Sequence, residues 1–187
     1  MKKIYSAIIA LLIILLACAA FFIKKSWQAP VVPKEELPAE ANIAGYWNLT
    51  DMFSDKLDSI IFMYERDGVY YGRMVAVYDD DEKLTDTYAD CKQTAKGLDG
   101  NQKLCDIEFI WGLKFDKNEK KYVGGSLLDP DSGSVYDCDV KHSTDKDQVE
   151  VVCKVAIFWK TLKWKRADKL PDGAKVNIKD IKPNVVK

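Results

Sequence analysis

Apolar and polar residues alternate with a period of two through much of the chain between Gly45 and Arg166. Ile107, Phe109, Trp111, Leu113 and Phe115 share one parity while Glu108 and Lys114 take the other, which predicts a strand with those five side chains facing inward. Val149, Val151, Cys153, Val155 and Ile157 oppose Glu150 and Lys154 in the same way, and Leu162, Trp164 and Arg166 oppose Lys163 and Lys165. Residues 59–65 and 69–78 are apolar or aromatic on both parities, so their inward face is not legible, and Arg66-Asp67-Gly68 between them predicts a hairpin turn. Turns are also predicted at 116–119 and at Asp129-Pro130-Asp131-Ser132-Gly133, and Gly124-Gly125 inside a strand pattern predicts a bulge or a close approach. About eight short strands joined mostly by tight turns predict an all-β fold, a single antiparallel up-and-down barrel.

Outside this region the pattern changes. Met1-Lys2-Lys3 precedes an apolar run from Ile4 to Ile23 that Lys24-Lys25 closes, the pattern of an export signal. About 20 residues in an apolar helix span roughly 30 Å, enough for a hydrocarbon layer, so an uncleaved signal anchor is one reading. Leu15-Leu16-Ala17-Cys18 resembles a lipobox, which makes lipidation of Cys18 the second, and an ordinary cleaved signal peptide is the third. All three place the domain in the cell envelope on the periplasmic or extracytoplasmic side, and the first two give it the membrane as partner, through the segment or through a lipid on Cys18. Residues 1–25 are thus the signal and 26–42, with Pro30, Pro33 and Pro38, an extended tether. Residues 43–168 are the barrel domain, and the lysine-rich 169–187 are expected to be a flexible tail.

The 28 basic and 29 acidic residues nearly cancel and no face concentrates one sign, which argues against nucleic acid as a partner. Besides Cys18 the chain has Cys91, Cys105, Cys138 and Cys153, an even number that favours two disulfides in an exported protein. If Asp145-Lys146 are the central turn residues between two strands, Cys138 faces Cys153, Val140 faces Val151 and Tyr136 faces Val155, all on one apolar face. That register pairs Cys138 with Cys153 and leaves Cys91 with Cys105. Cysteines more than ten residues apart and a lone histidine, His142, in a turn do not make a zinc or Cys-x-x-Cys redox motif. Asp79, Asp80, Asp81, Glu82, Asp86 and Asp90 lack the glycine of a calcium loop and read as a solvated acidic loop. No metal, cofactor or catalytic residue is expected.

Gly45 and Trp47, Tyr71-Gly72, Gly112-Leu113, Tyr122 with Gly124-Gly125, Asp129-Pro130 with Gly133 and Tyr136, and Trp164 with Arg166 together resemble the bacterial envelope family known as domain of unknown function 2147, over about residues 44–167. The resemblance implies a lipocalin-like barrel, in which Gly45, Trp47, Trp164 and Arg166 are structural and the arginine lies across the tryptophan ring. The family's Asn-Pro-Asp stretch in the long central loop is replaced here by Lys92 to Lys103. An eight-stranded barrel can hold one small ligand or be filled by its own side chains. The preferred expectation is a binding protein for a small apolar or amphipathic ligand, with Phe109, Trp111, Tyr122 and Tyr136 lining an apolar cup. A filled structural or protein-interaction domain is the alternative, and an enzyme ranks third because no nucleophile and base pair can be assembled.

Overall fold

Nine strands follow one another: β1 (Gly45–Thr50), β2 (Leu57–Arg66), β3 (Val69–Tyr78), β4 (Leu84–Thr87), β5 (Ile110–Asp116), β6 (Lys121–Leu128), β7 (Val135–His142), β8 (Gln148–Val155) and β9 (Phe158–Arg166). The computed structural model describes residues 42–50, 56–98, 100, 102–145, 147–155 and 158–182. The apolar run with its expected helix, Cys18, and the tether as far as residue 41 lie outside the described residues. All pairings are antiparallel, and the hydrogen-bonded order β2-β1-β9-β8-β7-β6-β5-β3 closes through β2–β3 into an eight-stranded barrel. β4 is additional and pairs only with the far end of β3, from Ala76 to Tyr78. β5 takes the near end, at Tyr70 and Gly72.

Cys138 pairs with Cys153 and Val140 with Val151, the register expected from the turn chemistry, and Val149, Val151 and Cys153 are buried inside. The side chains of Val155 and Ile157 lie outside the described residues. The row from Ile107 is less regular than its alternation implies. Ile107, Phe109 and Leu113 are fully buried, but so is Ile110, and Trp111 and Phe115 only flank the core. Parity slips because β5 begins at Ile110 and because Gly112 adopts a left-handed φ of 81°. Gly124 has φ 71° beside an irregularity in the β6–β7 register, and a Cβ on Gly125 would lie 2.5 Å from Leu113 Cδ2. The glycine pair is therefore both a bulge and the seat of a core leucine.

Apolar residues on both parities of β2 and β3 have a reason the sequence pattern hides. Ile61, Met63, Tyr70 and Met74 face the barrel interior, whereas Ile60, Phe62, Tyr64, Val75 and Ala76 face outward into a second core. Residues 167–182, most of them expected to belong to a flexible tail, run across that outer face as a strap. Ala174 and Val176 are buried there, Leu170 and Ile181 pack at its margins, and Val176 N donates to Tyr46 Oη at 3.1 Å. Ala89 N donates to Gly173 O at 3.0 Å. The correction has a plain cause: a lysine-rich stretch with isolated apolar residues becomes ordered because the barrel offers an apolar outer wall to cover.

Beside the strap sits a buried ionic cluster. The Glu108 carboxylate, fully excluded from water, accepts from Tyr64 Oη at 2.6 Å and from Arg66 Nη1 at 2.9 Å. Arg73, also buried, lies 3.8 Å away and donates to Lys182 O at 3.2 Å. Removing one partner of a buried pair strands the other charge. Glu108→Ala should therefore cost about 3 to 5 kcal/mol in urea unfolding, and Arg66→Ala, which leaves Glu108 beside Tyr64 and Arg73, should cost less; equal, small losses would mean that Arg73 finds water or another anion.

Candidate functional site

The turns divide the barrel into two ends. The β2–β3, β5–β6 and β7–β8 turns share one end with the start of β1 and the close of β9, and aromatic packing plugs it. Tyr70 meets Tyr122 edge-on at 4.7 Å between ring centroids, and Phe115 lies 5.1 Å from Tyr122. The other end carries the long connection from β3 to β5 and the β6–β7 and β8–β9 connections. A cavity of about 600 Å³ opens there, within the roughly 300–1,000 Å³ of small-molecule sites.

The wall of the cavity is apolar and comes from around the barrel: Leu49 of β1, Met74 and Val77 of β3, Phe109, Leu127 of β6 and Leu162 of β9. Phe109 rests against Trp164, which fills the space beneath it at 6.3 Å. Polar groups collect at the mouth, where Asp58, Asp80, Asp129, Asp131, Lys96 and Lys160 appear. Lys96 and Asp131 approach to 3.5 Å, both exposed. Such a pair contributes little to stability, so the mouth is open to solvent and adjustable while the depth is apolar. Of the four residues expected to line a cup, Phe109 and Tyr136 do so. Tyr122 belongs to the plugged end, and Trp111 packs against the core without lining the cavity. Leu162 was legible as an inward strand residue, whereas Leu127 follows the Gly124-Gly125 irregularity and was not. Met74 and Val77 were not, because both faces of β3 are apolar.

The long connection is held against the mouth by Asp86, a residue of the supposedly solvated acidic loop that is only 4 % exposed. Its Oδ1 accepts from the amides of Lys92 and Gln93, and its Oδ2 accepts from Gln93 Nε2 at 2.7 Å. Burial pushes the Asp86 carboxyl up, but these donors outweigh it and hold the group below its ordinary value.

All four described cysteines are buried thiols in the structure, without S–S bonds. They are nevertheless neighbours in the expected pairs. Cys138 lies opposite Cys153, which forms part of the cavity wall, and Cys105 N donates to Cys91 Sγ at 3.3 Å. A hydrogen bond from the Cys105 side chain, helped by its amide and opposed by burial, draws the Cys91 thiol down to about 7. The Cys138 thiol is pushed up by its hydrogen bond with Cys153 and by burial, and Cys153 is lowered. His142 closes β7 opposite Val149, at the plugged end and away from the cavity. Among the described residues no group of three or more His, Cys, Asp or Glu is placed to hold a metal ion.

A closed eight-stranded antiparallel barrel with an apolar cup open at one end, and with Arg166 4.1 Å above the Trp47 ring at the other, is a lipocalin-like fold. The chain belongs to the DUF2147 family, described as uncharacterized protein conserved in bacteria, whose model matches residues 45–166. Among solved structures it is similar to protein HP1028 of Helicobacter pylori, described as belonging to the lipocalin family. Identity to that protein is 18 % and the TM-score 0.56, with 75 % of this chain and 95 % of that one covered. No curated protein matches the sequence.

Because the Asp86 carboxyl is held low, its contribution is complete above the ordinary aspartate value of about 3.9 and fades as pH falls through the lower, folded value. Amide exchange at Lys92 and Gln93 should accelerate at that acid limb in the wild type. In Asp86→Asn the same amides should exchange faster already at neutral pH, with a loss of roughly 2 kcal/mol of local stability; unchanged protection in the variant would remove Asp86 as the pin.

Proposed function

We propose that the barrel binds a small apolar or amphipathic molecule, such as a fatty acid or lipid fragment, in the cavity between Phe109, Tyr136, Leu127 and Leu162. The observation that carries this reading is the cavity itself: about 600 Å³ bounded by apolar side chains at depth and by charged ones at the mouth. A filled core would leave no such volume, and the plugged end shows what filling looks like in the same barrel, with Tyr70, Tyr122 and Phe115 in ring contact. Burying roughly 400 Å² of apolar ligand surface contributes on the order of 10 kcal/mol before the cost of association. Affinity in the micromolar range or somewhat weaker follows without a charged clamp.

The domain acts, in this reading, in the bacterial envelope, held at the membrane by the N-terminal apolar run or by a lipid on Cys18. The cross-strand pairing of Cys138 with Cys153 and the Cys105 amide bonded to Cys91 Sγ support that placement, since an oxidising compartment would favour two disulfides, each closing a loop of about 15 residues worth ~3 kcal/mol.

Titration of the full-length chain with a dansyl-labelled fatty acid should give a saturable signal. Leu162→Trp, which fills the cup, should weaken binding at least about tenfold, while Trp111→Phe, away from the cavity, should leave it within about twofold. No saturable signal from a folded wild type would retire the reading in favour of a structural domain. Peptide mapping without reductant, on protein recovered from the envelope, should yield Cys91 linked to Cys105 and Cys138 linked to Cys153. Four free thiols, or Cys105 linked to Cys138, would count against the compartment or the pairing.

A further inference from the structure

The cavity accounts for the inside of the barrel and the strap for one outer face, but neither accounts for the end of the β8–β9 hairpin. Phe158 is 71 % exposed and Trp159 63 % exposed, the two least covered large hydrophobic residues among those described. They stand opposite Val155 and Lys154 in the β8–β9 register and continue the sequence run Ala156-Ile157-Phe158-Trp159. Residues beside tight hairpin connections are ordinarily polar; Phe158 and Trp159, exposed there, carry a cost in water with no return from the barrel core. The charges nearest these rings along the two strands are Lys154, directly opposite Trp159, and Lys160, opposite Cys153.

We propose that the end of this hairpin docks on an anionic lipid bilayer, with Phe158 and Trp159 in the interfacial layer and the flanking lysines at the level of the head groups. Geometry favours a membrane over a protein surface. Successive side chains of a strand point to opposite sides, so Phe158 and Trp159 cannot both be covered by one flat partner, whereas immersion of the hairpin end in a bilayer covers both at once. Tryptophan and phenylalanine suit that layer, an aromatic body in the apolar region with the indole N–H near water, and lysine stems can lie along the lipid while their ammonium groups meet phosphate. The other loops of the mouth bring Asp58, Asp80, Asp129 and Asp131, so the attraction belongs to the hairpin rather than to the whole rim. The expected anchor permits the contact: the 17 residues from 26 to 42 reach up to about 60 Å when extended, against roughly 33 Å for a ten-residue strand. Docking there brings the cavity mouth to the membrane from which an amphipathic ligand would come, but the contact itself does not depend on the cavity being occupied.

The test uses the full-length chain, labelled with 5-fluorotryptophan, in nanodiscs of phosphatidylcholine with or without phosphatidylglycerol, each carrying a nitroxide-labelled lipid. The Trp159 resonance, assigned by its loss in Trp159→Phe, should be attenuated at least about fivefold more than that of buried Trp164 in the anionic discs. The attenuation should fall in the neutral discs and in the variant Lys154→Glu. Equal attenuation of Trp159 and Trp164 in anionic discs would overturn the proposal. So would indifference to lipid charge, or a concentration-dependent dimer abolished by Trp159→Ser, which would make a second copy the occupant. The resonance reports depth and not occupancy, so the result stands apart from the fatty-acid titration.

Discussion

Closure of the sheet hangs on the meeting of its first and last strands, and the interaction that secures it is the Arg166 guanidinium stacked 4.1 Å above the Trp47 ring. The β1–β9 ladder contains the pairs Trp47 with Arg166 and Asn48 with Lys165, extended by a backbone bond from Ala167 N to Tyr46 O at 3.0 Å. The cation over the ring adds roughly 0.5 to 2 kcal/mol. Arg166 Nη1 also donates to Ala44 O at 3.3 Å, and Trp47 Nε1, fully buried, donates to Ile43 O at 2.9 Å. Glycine at 45 is required: its φ is 126°, and a Cβ there would sit 2.5 Å from Arg166 Nη1. Unlatched, β1 and β9 would present unpaired edges, and the cavity would lose the wall that Leu49 and Leu162 supply from those two strands.

The latch, however, leaves β2 and β3 with apolar surface on both sides. The strap resolves this by covering an aromatic ladder on the outer face, in which Tyr46 stacks on Phe62 at 4.6 Å, Phe62 on Tyr64 at 5.6 Å and Tyr64 on Tyr71 at 5.9 Å. Arg66 caps the ladder, 4.0 Å above Tyr71, and joins it to Glu108. A buried carboxylate is expensive unless paired. Its place between Arg66, Arg73 and Tyr64 fixes the residues before β5 against β2 and β3, and those residues end in Phe109. The outer ionic cluster thereby sets the position of a ring inside the cavity.

The two ends of the barrel divide its tasks between packing and access. One end is filled with rings and carries short polar turns. The other holds the cavity, the long connection pinned by Asp86, and the exposed aromatics of the β8–β9 hairpin. Rigid packing at one end allows looser, charged connections at the other without loss of the fold, since the latch and the ring cluster lie away from the mouth.

Strand alternation, turn chemistry and the Gly45, Trp47 and Arg166 signature were sufficient to read the barrel, the Cys138–Cys153 register and the inward faces of β9 and of β8 as far as Cys153, because period-two patterning and turn geometry are local properties of the chain. The same logic could not decide the inward face of β2 and β3, whose patterning reflects a strap about 90 residues or more away in sequence. It placed Trp111 and Tyr122 with Phe109 in one cup. The structure separates them, because the left-handed turn at Gly112 breaks the parity of β5 and because β6 carries Tyr122 to the plugged end. Asp86 looked like one carboxylate among many until the fold brought the amides of Lys92 and Gln93 to it. Sequence alone determined that the sheet closes; whether a particular inward residue fills the barrel or lines its cavity was decided by its height along the barrel axis, which depends on strand register, bulges and shear and so exists only in the assembled fold.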